Sequence, residues 1–256
     1  MSQEEFAQTY LSLRVSKTAN DNFQYKGAEV DWTNDKKIKY PAVKNQGSCV
    51  GTLEINADIE LNKRYVLSEQ DLVDCTRPYG NQGCKGGWVY QAYHYILDFG
   101  LSEAKNYPYT GKDELCQFTV DRPFKHLTGY YIYETCSQLV DAIQIRTVAV
   151  AVDAKPWQFY ASVVLSECTK DLNHAAVLVG ISADGVWKIR NSWGATWGEA
   201  ELLKVILVVY VLNHVPLYYN EDYSYINLST ISVILQTIYL IEQLHKKLIS
   251  FFNIYL

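Results

Sequence analysis

Four side chains in this sequence could take part in chemistry on a carbonyl group. Gln46 and Cys49 lie close together near the start of the chain, His174 comes directly before an apolar run, and Asn191 follows another. A thiol, an imidazole and side-chain amides are the groups that nucleophilic catalysis and oxyanion stabilisation require. Taken alone, a histidine before a strand is more often structural, and an asparagine after one is usually a turn former. The segments read Asn45-Gln46-Gly47-Ser48-Cys49, Leu172-Asn173-His174-Ala175-Ala176 and Asn191-Ser192-Trp193-Gly194-Ala195-Thr196-Trp197-Gly198.

The composition excludes several other classes of protein. Of 256 residues, 48% are hydrophobic and 20% are charged, which is typical of a globular protein and not of a disordered one. The formal net charge of −5 argues against an extended nucleic-acid interface. None of the six cysteines forms a Cys-x-x-Cys pair, so we expect neither a metal site nor another cofactor. Their spacing favours disulfides formed in an oxidising compartment over scattered buried thiols.

The elements that would position these residues fall into two groups. Apolar spacing predicts a helix over residues 53–65, Ser68 is a typical N-cap of a second helix, and residues 88–97 form a third. A glycine-rich stretch at 83–87 predicts a tight loop. The later β-branched and apolar runs predict strands at 148–152, 175–181 and 186–190. Helices followed by strands indicate an α+β fold with a helical and a sheet-rich subdomain.

Together and in this order, the three segments resemble the papain family of cysteine peptidases, and specifically its cathepsin L-like members. The resemblance covers roughly residues 4–199. It implies a papain-like two-subdomain fold with the cleft between the subdomains, and hydrolysis of peptide bonds in peptide or protein substrates. It also implies a monomer that is made as a zymogen and works in a lysosome or vacuole, or after secretion.

The resemblance assigns a role to each site residue. His174 would be the base, Asn191 would orient its imidazole under Trp193, and Gln46 would donate a hydrogen bond to the oxyanion. The residues implied to bind substrate are Gly86, Gly87, Trp88, Asn173 and Trp193. The family pattern also implies the disulfides Cys49–Cys84 and Cys75–Cys116, and leaves Cys136 and Cys168 as a third pair.

The departure from the family pattern comes directly after Cys49. The family continues there with Gly-Ser-Cys-Trp-Ala-Phe-Ser-Ala, whose cysteine would be the nucleophile, whereas Cys49 is followed here by Val50. Cys49 and Cys75 are 26 residues apart, about eight fewer than the family interval. An ungapped alignment would instead place Thr52 at the nucleophile position. We favour a deletion, because restoring about eight residues brings His174 and Asn191 to the family spacing.

Several interpretations of this gap stay open. The chain could be a catalytically inactive relative, or the product of an incorrectly assembled gene for an active one. It could also be a non-catalytic module that binds peptides or a partner peptidase in the remaining cleft. A hydrolase that uses Thr52 is a further alternative, although threonine is a poor nucleophile without a strong activating base.

The two ends of the chain differ from its middle. Residues 1–25 resemble the end of an inhibitory propeptide, and they contain no signal-peptide pattern. The peptidase domain would span 26–200. The tail, 201–256, contains no Gly, Cys or Trp, and its remaining strand character predicts one terminal strand. Its uncharged stretch 223–241 is diluted by polar residues, so we expect a buried or irregular apolar helix there and not a membrane span.

Overall fold

The computed structural model describes residues 25, 27–36, 38, 48–133, 135–166, 172–205 and 213–218, with the main chain only at 48–52 and 213–218. All of them belong to the first of the two units of the chain, Met1–Tyr219. The predictions for the propeptide-like residues 1–24, for Gln46, for Cys168 and for the stretch 223–241 lie outside the described residues. No helix in the described ranges has the length and apolar character that a membrane crossing requires.

Three helices precede the first long strand, as the sequence predicts. Helix α1 spans Ser48–Leu61, α2 spans Glu69–Cys75 and α3 spans Val89–Phe99. Helix α2 begins where predicted because the Ser68 hydroxyl accepts a hydrogen bond from the Asp71 main-chain N–H at 3.0 Å. The predicted tight loop is a 3₁₀ turn at Gly83–Lys85.

A fourth helix was not predicted from the sequence. Helix α4, Cys136–Ile143, begins with a capping box in which Thr135 and Gln138 exchange side-chain to main-chain hydrogen bonds. Its buried side chains, including Leu139 and Ile143, belong to the core of the sheet-rich subdomain. The helix therefore packs against the sheet.

The strands form an antiparallel sheet. Its strands are β1 Val30–Asp31, β2 Leu127–Tyr133, β3 Val148–Val152, β4 His174–Ile181, β5 Trp187–Arg190, β6 Leu202–Val205 and β7 Asn213–Tyr218. The three predicted strands are confirmed as β3, β4 and β5. Neighbouring strands follow the order β2-β7-β3-β4-β5-β6, and β1 pairs with β4 outside this path.

The chain beyond residue 200 contributes more to the sheet than expected. Two strands, β6 and β7, come from it, where the sequence predicted one. Strand β6 pairs with β5 in register, and its Leu203 and Val205 are buried in the core. The sheet therefore extends on both sides of the central β3–β4 pair.

The cores of the two subdomains are distinct apolar clusters. One cluster is built on the sheet and includes Trp157 and Trp187, and the other lies among α1, α2 and α3 and includes Tyr93 and Phe124. A smaller cluster joins them, in which Ile55 of α1 packs against β4. This arrangement confirms the predicted α+β fold with a helical and a sheet-rich part.

The structure tests the expected disulfides in part. Cys75 and Cys116 form the predicted disulfide, which closes a loop of 41 residues and stabilises the fold by about 4 kcal/mol in the chain-entropy model. Cys84 is an exposed thiol outside any disulfide in this structure, and because the side chain of Cys49 lies outside the described residues, its predicted pairing with Cys84 stays a prediction. Cys136 forms no disulfide with any described cysteine, and its predicted pairing with Cys168 stays a prediction.

Candidate active site

The centre of the site is a hydrogen-bonded pair formed by His174 and Asn191. His174 is the first residue of β4 and Asn191 directly follows β5, and these antiparallel neighbours bring the two side chains together. The Nε2 of His174 lies 2.8 Å from the Oδ1 of Asn191, and both residues are buried. Because an amide oxygen only accepts, Nε2 carries the proton and Nδ1 is the basic nitrogen of this ring.

Aromatic rings enclose the His174 imidazole. The Trp193 ring lies 4.9 Å from it, centroid to centroid, and the Trp157 ring lies 5.9 Å away in an edge-on arrangement. Trp197 packs against Trp193 at 5.0 Å. These rings fix the plane of the imidazole and keep water away from its bond to Asn191, which strengthens that bond.

A second asparagine supports the histidine from its other side. The amide of Asn173 donates to Asp153 at 2.7 Å, and its oxygen accepts from the Ala154 N–H at 2.9 Å. The Asn173 main-chain N–H also donates to Val152, the residue paired with His174 across the sheet. The Asn173 side chain is therefore used within the protein, so a substrate contact predicted for this residue would have to come from its main chain.

Asn191 is held in place by the turn that follows it in the chain. Its main-chain N–H donates to the Glu201 carbonyl at 2.8 Å. The Glu201 side chain lies 3.2 Å from the Nε of Arg190 and is itself buried. Burial raises the pKa of Glu201 to about 7, although Arg190 acts in the opposite direction.

The two glycines predicted to bind substrate differ in the hydrogen bonds of their main-chain groups. The Gly86 N–H donates to Gly83 and its carbonyl accepts from Gln82, so both of its main-chain groups are used within the loop. Gly87 makes no hydrogen bond to another described residue. A Cβ at Gly87 would lie 2.0 Å from the Oδ1 of Asn81, the atom that accepts from the Trp88 N–H, so only glycine fits there.

Helix α1 packs beside β3 and β4. Asn56 of α1 is bonded to Thr147, just before the end of β3 that pairs with Leu178. One turn earlier, Leu53 belongs to a cluster that includes Ala175, the neighbour of His174. Helix α1 therefore lies against the β3–β4 part of the sheet.

Comparison with known proteins places these features in a family. Residues 27–210 match the sequence model described as papain family cysteine protease. The chain is 65% identical over 213 residues to "Cathepsin L 2" of Paramecium tetraurelia, covering 78% of this chain and 68% of that protein. It is 35% identical over 200 residues to "Cathepsin L2" of Homo sapiens, covering 69% of this chain and 59% of that protein.

The chain belongs to the papain family of cysteine proteases. Solved papain-family structures agree with the fold. The bromelain protease from Ananas comosus superposes with a TM-score of 0.65 at 28% identity, covering 75% of this chain and 100% of that one. The digestive procathepsin L 3 of Tenebrio molitor gives 0.69 at 30% identity, covering 85% of this chain and 79% of that one.

The structure brings together part of the papain-family site predicted from the sequence. His174 contacts both Asn191 and Trp193, and Asn173, its neighbour in the chain, is bonded to Asp153. Cys49 and Thr52 lie in the first turns of α1, where only the main chain is described. Gln46 lies outside the described residues.

Sequence reasoning missed three residues that support this papain-family site. Trp157 lies edge-on beside the imidazole, Asp153 accepts a hydrogen bond from the Asn173 amide, and the Glu201 carbonyl accepts one from the Asn191 N–H. Trp157 and Asp153 follow β3 in the chain, and β3 pairs with the strand that begins at His174. Their position after a predicted strand was the signal that could have found them. Nothing in the sequence around Glu201 marks it, because its contact with Asn191 depends on the turn between β5 and β6.

Proposed function

We propose that this chain is a papain-family peptidase homologue that does not hydrolyse peptide bonds. The observation that carries the proposal is the direct succession of Cys49 and Val50, with no second cysteine where the family has its nucleophile. Helix α1 contains no cysteine after Cys49. Loss of the nucleophile from such a catalytic unit lowers turnover on the order of a million-fold.

The His174–Asn191 pair supports the roles that the family resemblance implies for these two residues. His174 is proposed as the base and Asn191 as the residue that fixes its tautomer, which the 2.8 Å bond between them favours. Gln46 is proposed as the oxyanion donor, and Gly87 with Trp88 as contacts for the substrate main chain and side chain. The ligand would be a peptide or protein segment, bound without being cleaved.

The family also suggests a setting for this function. We propose a monomer that works in a lysosome or vacuole, or after secretion, where the Cys75–Cys116 disulfide is stable. Residues 1–25 are proposed as a propeptide segment of a zymogen, and residues 201–256 as a divergent tail. The described part of that tail includes the strands β6 and β7.

The start of helix α1 favours a second candidate function, a weak thiol peptidase that uses Cys49. Helix α1 begins at Ser48, which places Cys49 in its first turn, where the helix dipole favours a thiolate. Cys84, the partner that the family pattern gives to Cys49, is a free thiol in this structure.

Covalent labelling separates the two candidates. The purified chain is incubated with a thiol-directed epoxide inhibitor and analysed by intact-mass and peptide mass spectrometry. For the inactive homologue we expect no stoichiometric adduct, and no cleavage of fluorogenic peptides above the level of the His174→Ala variant. The matched controls are Cys49→Ser and Cys84→Ser, which separate the thiol in α1 from the exposed thiol in the loop.

A stoichiometric adduct on Cys49 that disappears in His174→Ala would contradict the proposal and support the second candidate. An adduct on Cys84 that His174→Ala leaves unchanged reflects an exposed thiol and agrees with an inactive site. Peptide cleavage that survives Cys49→Ser but is lost in Thr52→Ala would instead support the alternative based on Thr52.

A further inference from the structure

The turn before β6 places a carboxyl group inside the protein. Glu201 is 1% exposed, and its Oε2 is 3.2 Å from the Nε of Arg190. Its other oxygen, Oε1, is buried without a hydrogen-bond partner among the described residues. If the Glu201 carboxylate is ionised in this position, its charge is only partly stabilised. Burial removes water from both oxygens, and Arg190 donates a hydrogen bond to only one of them.

The same turn has an unfavourable main-chain conformation. Ala200 has a φ of 54° and Glu201 a φ of 72°, so two consecutive residues with side chains occupy the left-handed region. Residues stay in such a conformation only where surrounding contacts impose it. At Glu201 these contacts are the hydrogen bond from its N–H to the Trp197 carbonyl and the one from the Asn191 N–H to its carbonyl, both 2.8 Å.

We propose that Glu201 is a proton-sensitive positioning residue for Asn191. In its neutral form the side chain remains buried and the strained turn stays closed on the Asn191 N–H. Ionisation favours exposure of the carboxylate, which opens the turn and loosens the main chain that presents Asn191 to His174. The inference rests on the proposed roles of His174 and Asn191 for its catalytic meaning, but its structural content does not depend on them.

The charged and titratable groups around the turn support this assignment. Arg190 at the end of β5 faces the carboxyl group directly. Glu199 and Lys204, from the turn and β6, pair with each other at 2.8 Å, and the Tyr160 hydroxyl donates to Glu199. His174 of β4 lies beyond Asn191. Among these groups, Arg190 is the one that is ion-paired with Glu201.

The direction of the pH effect follows from the burial of Glu201. The pKa of Glu201 is raised from an ordinary value of 4.5 to about 7 in the folded protein. Folding is therefore favoured when the group is protonated, and this stabilisation is complete below about pH 4.5 and is lost as the pH rises toward 7. We expect the turn to be most stable in an acidic compartment and least stable above neutral pH.

Thermal unfolding of the full chain between pH 4.5 and 8 tests the proposal. The Glu201→Gln variant keeps the shape and removes the charge, so we expect its Tm to exceed that of the wild type by roughly 3–6 °C at pH 8 and to be nearly equal at pH 4.5. The matched control is Glu199→Gln, two residues away. The hydrogen bond from Lys204 lowers the pKa of Glu199, so this variant should lose stability near neutral pH, with a loss that fades as the pH falls.

A second measurement reports on Asn191 itself. In the wild type, the NMR shift of the Asn191 main-chain N–H should follow a titration near pH 7 that is absent in Glu201→Gln and retained in Glu199→Gln. A Tm difference for Glu201→Gln that does not change with pH, or an Asn191 titration that persists in that variant, would overturn the proposal. Neither result depends on peptidase activity, so failure here is distinct from failure of the proposed function.

Discussion

The ion pair between Asp71 and Arg122 lies inside the helical subdomain, where Asp71 is 0% and Arg122 is 7% exposed. Asp71 also accepts hydrogen bonds from the Tyr95 hydroxyl and the Ser102 N–H, so both of its carboxylate oxygens are hydrogen-bonded. The Arg122 guanidinium lies beside the Cys75–Cys116 disulfide. A charge in this setting is tolerated only because its partner is present.

We expect Asp71→Ala to lower the free energy of unfolding by about 3–5 kcal/mol, because it leaves the Arg122 charge buried without its partner. Urea unfolding followed by tryptophan fluorescence measures the change. The control is Asp113→Ala, which removes the exposed pair with Arg77 and should cost less than about 1 kcal/mol. Equal losses in the two variants would show that burial of the Asp71–Arg122 pair does not govern its contribution.

At the scale of secondary-structure elements, helix α4 shows how a short helix is fixed by its first turn. The Thr135 hydroxyl accepts from the Gln138 N–H, and the Gln138 side chain accepts from the Thr135 N–H. The helix then buries Leu139 and Ile143 against the sheet. Local capping and long-range packing therefore act on the same eight residues.

The capping box gives a prediction for α4. Thr135→Ala should lower the free energy of unfolding by about 1 kcal/mol, since the Gln138 N–H loses its acceptor, whereas Thr135→Ser should change it little. Chemical denaturation of both variants measures the difference, and hydrogen exchange of the α4 amides locates it. Equal stability of the alanine and serine variants would contradict this account of how α4 begins.

At the scale of the whole molecule, the two subdomains contribute different halves of the site. The sheet-rich half supplies the His174–Asn191 pair, complete with its aromatic enclosure. The helical half contains the start of α1, where we propose that eight residues of the family pattern are missing. Strand β6, which the sequence left uncertain, completes the support of Asn191 through the turn at Glu201.

Restoration of the missing segment tests this division. Insertion of Gly-Ser-Cys-Trp-Ala-Phe-Ser-Ala between Cys49 and Val50 should produce peptidase activity, because the new thiol would meet a base that is already oriented. Fluorogenic peptide cleavage measures the gain, and the same insertion carrying His174→Ala should abolish it.

A folded insertion variant with no activity would show that α1 is not the only defect. In that case, replacement of the segment after Glu199 by a family-like strand segment is the second repair. Failure of both repairs together would contradict the placement of the gap directly after Cys49.

The sequence by itself determined the features that depend on neighbouring residues. Ser68 marked the start of α2, the apolar runs marked β3, β4 and β5, and the order of the motifs marked His174 and Asn191 as a pair. Each of these signals is local, because a cap, an alternating run or a motif acts over a few residues. The family relationship and the fold class followed from them.

Only the tertiary structure decided the features that depend on distant partners. In the folded protein, Trp157 lies edge-on beside the imidazole and Cys84 is a thiol. Strand β7 pairs with β2 and β3, and Glu201 lies in a buried left-handed turn next to Asn191. Each of these outcomes depends on residues that are brought together by the packing of helices and strands. Burial and strain at Glu201 have no counterpart in the local sequence, because both are imposed by the contacts that the sheet makes around it.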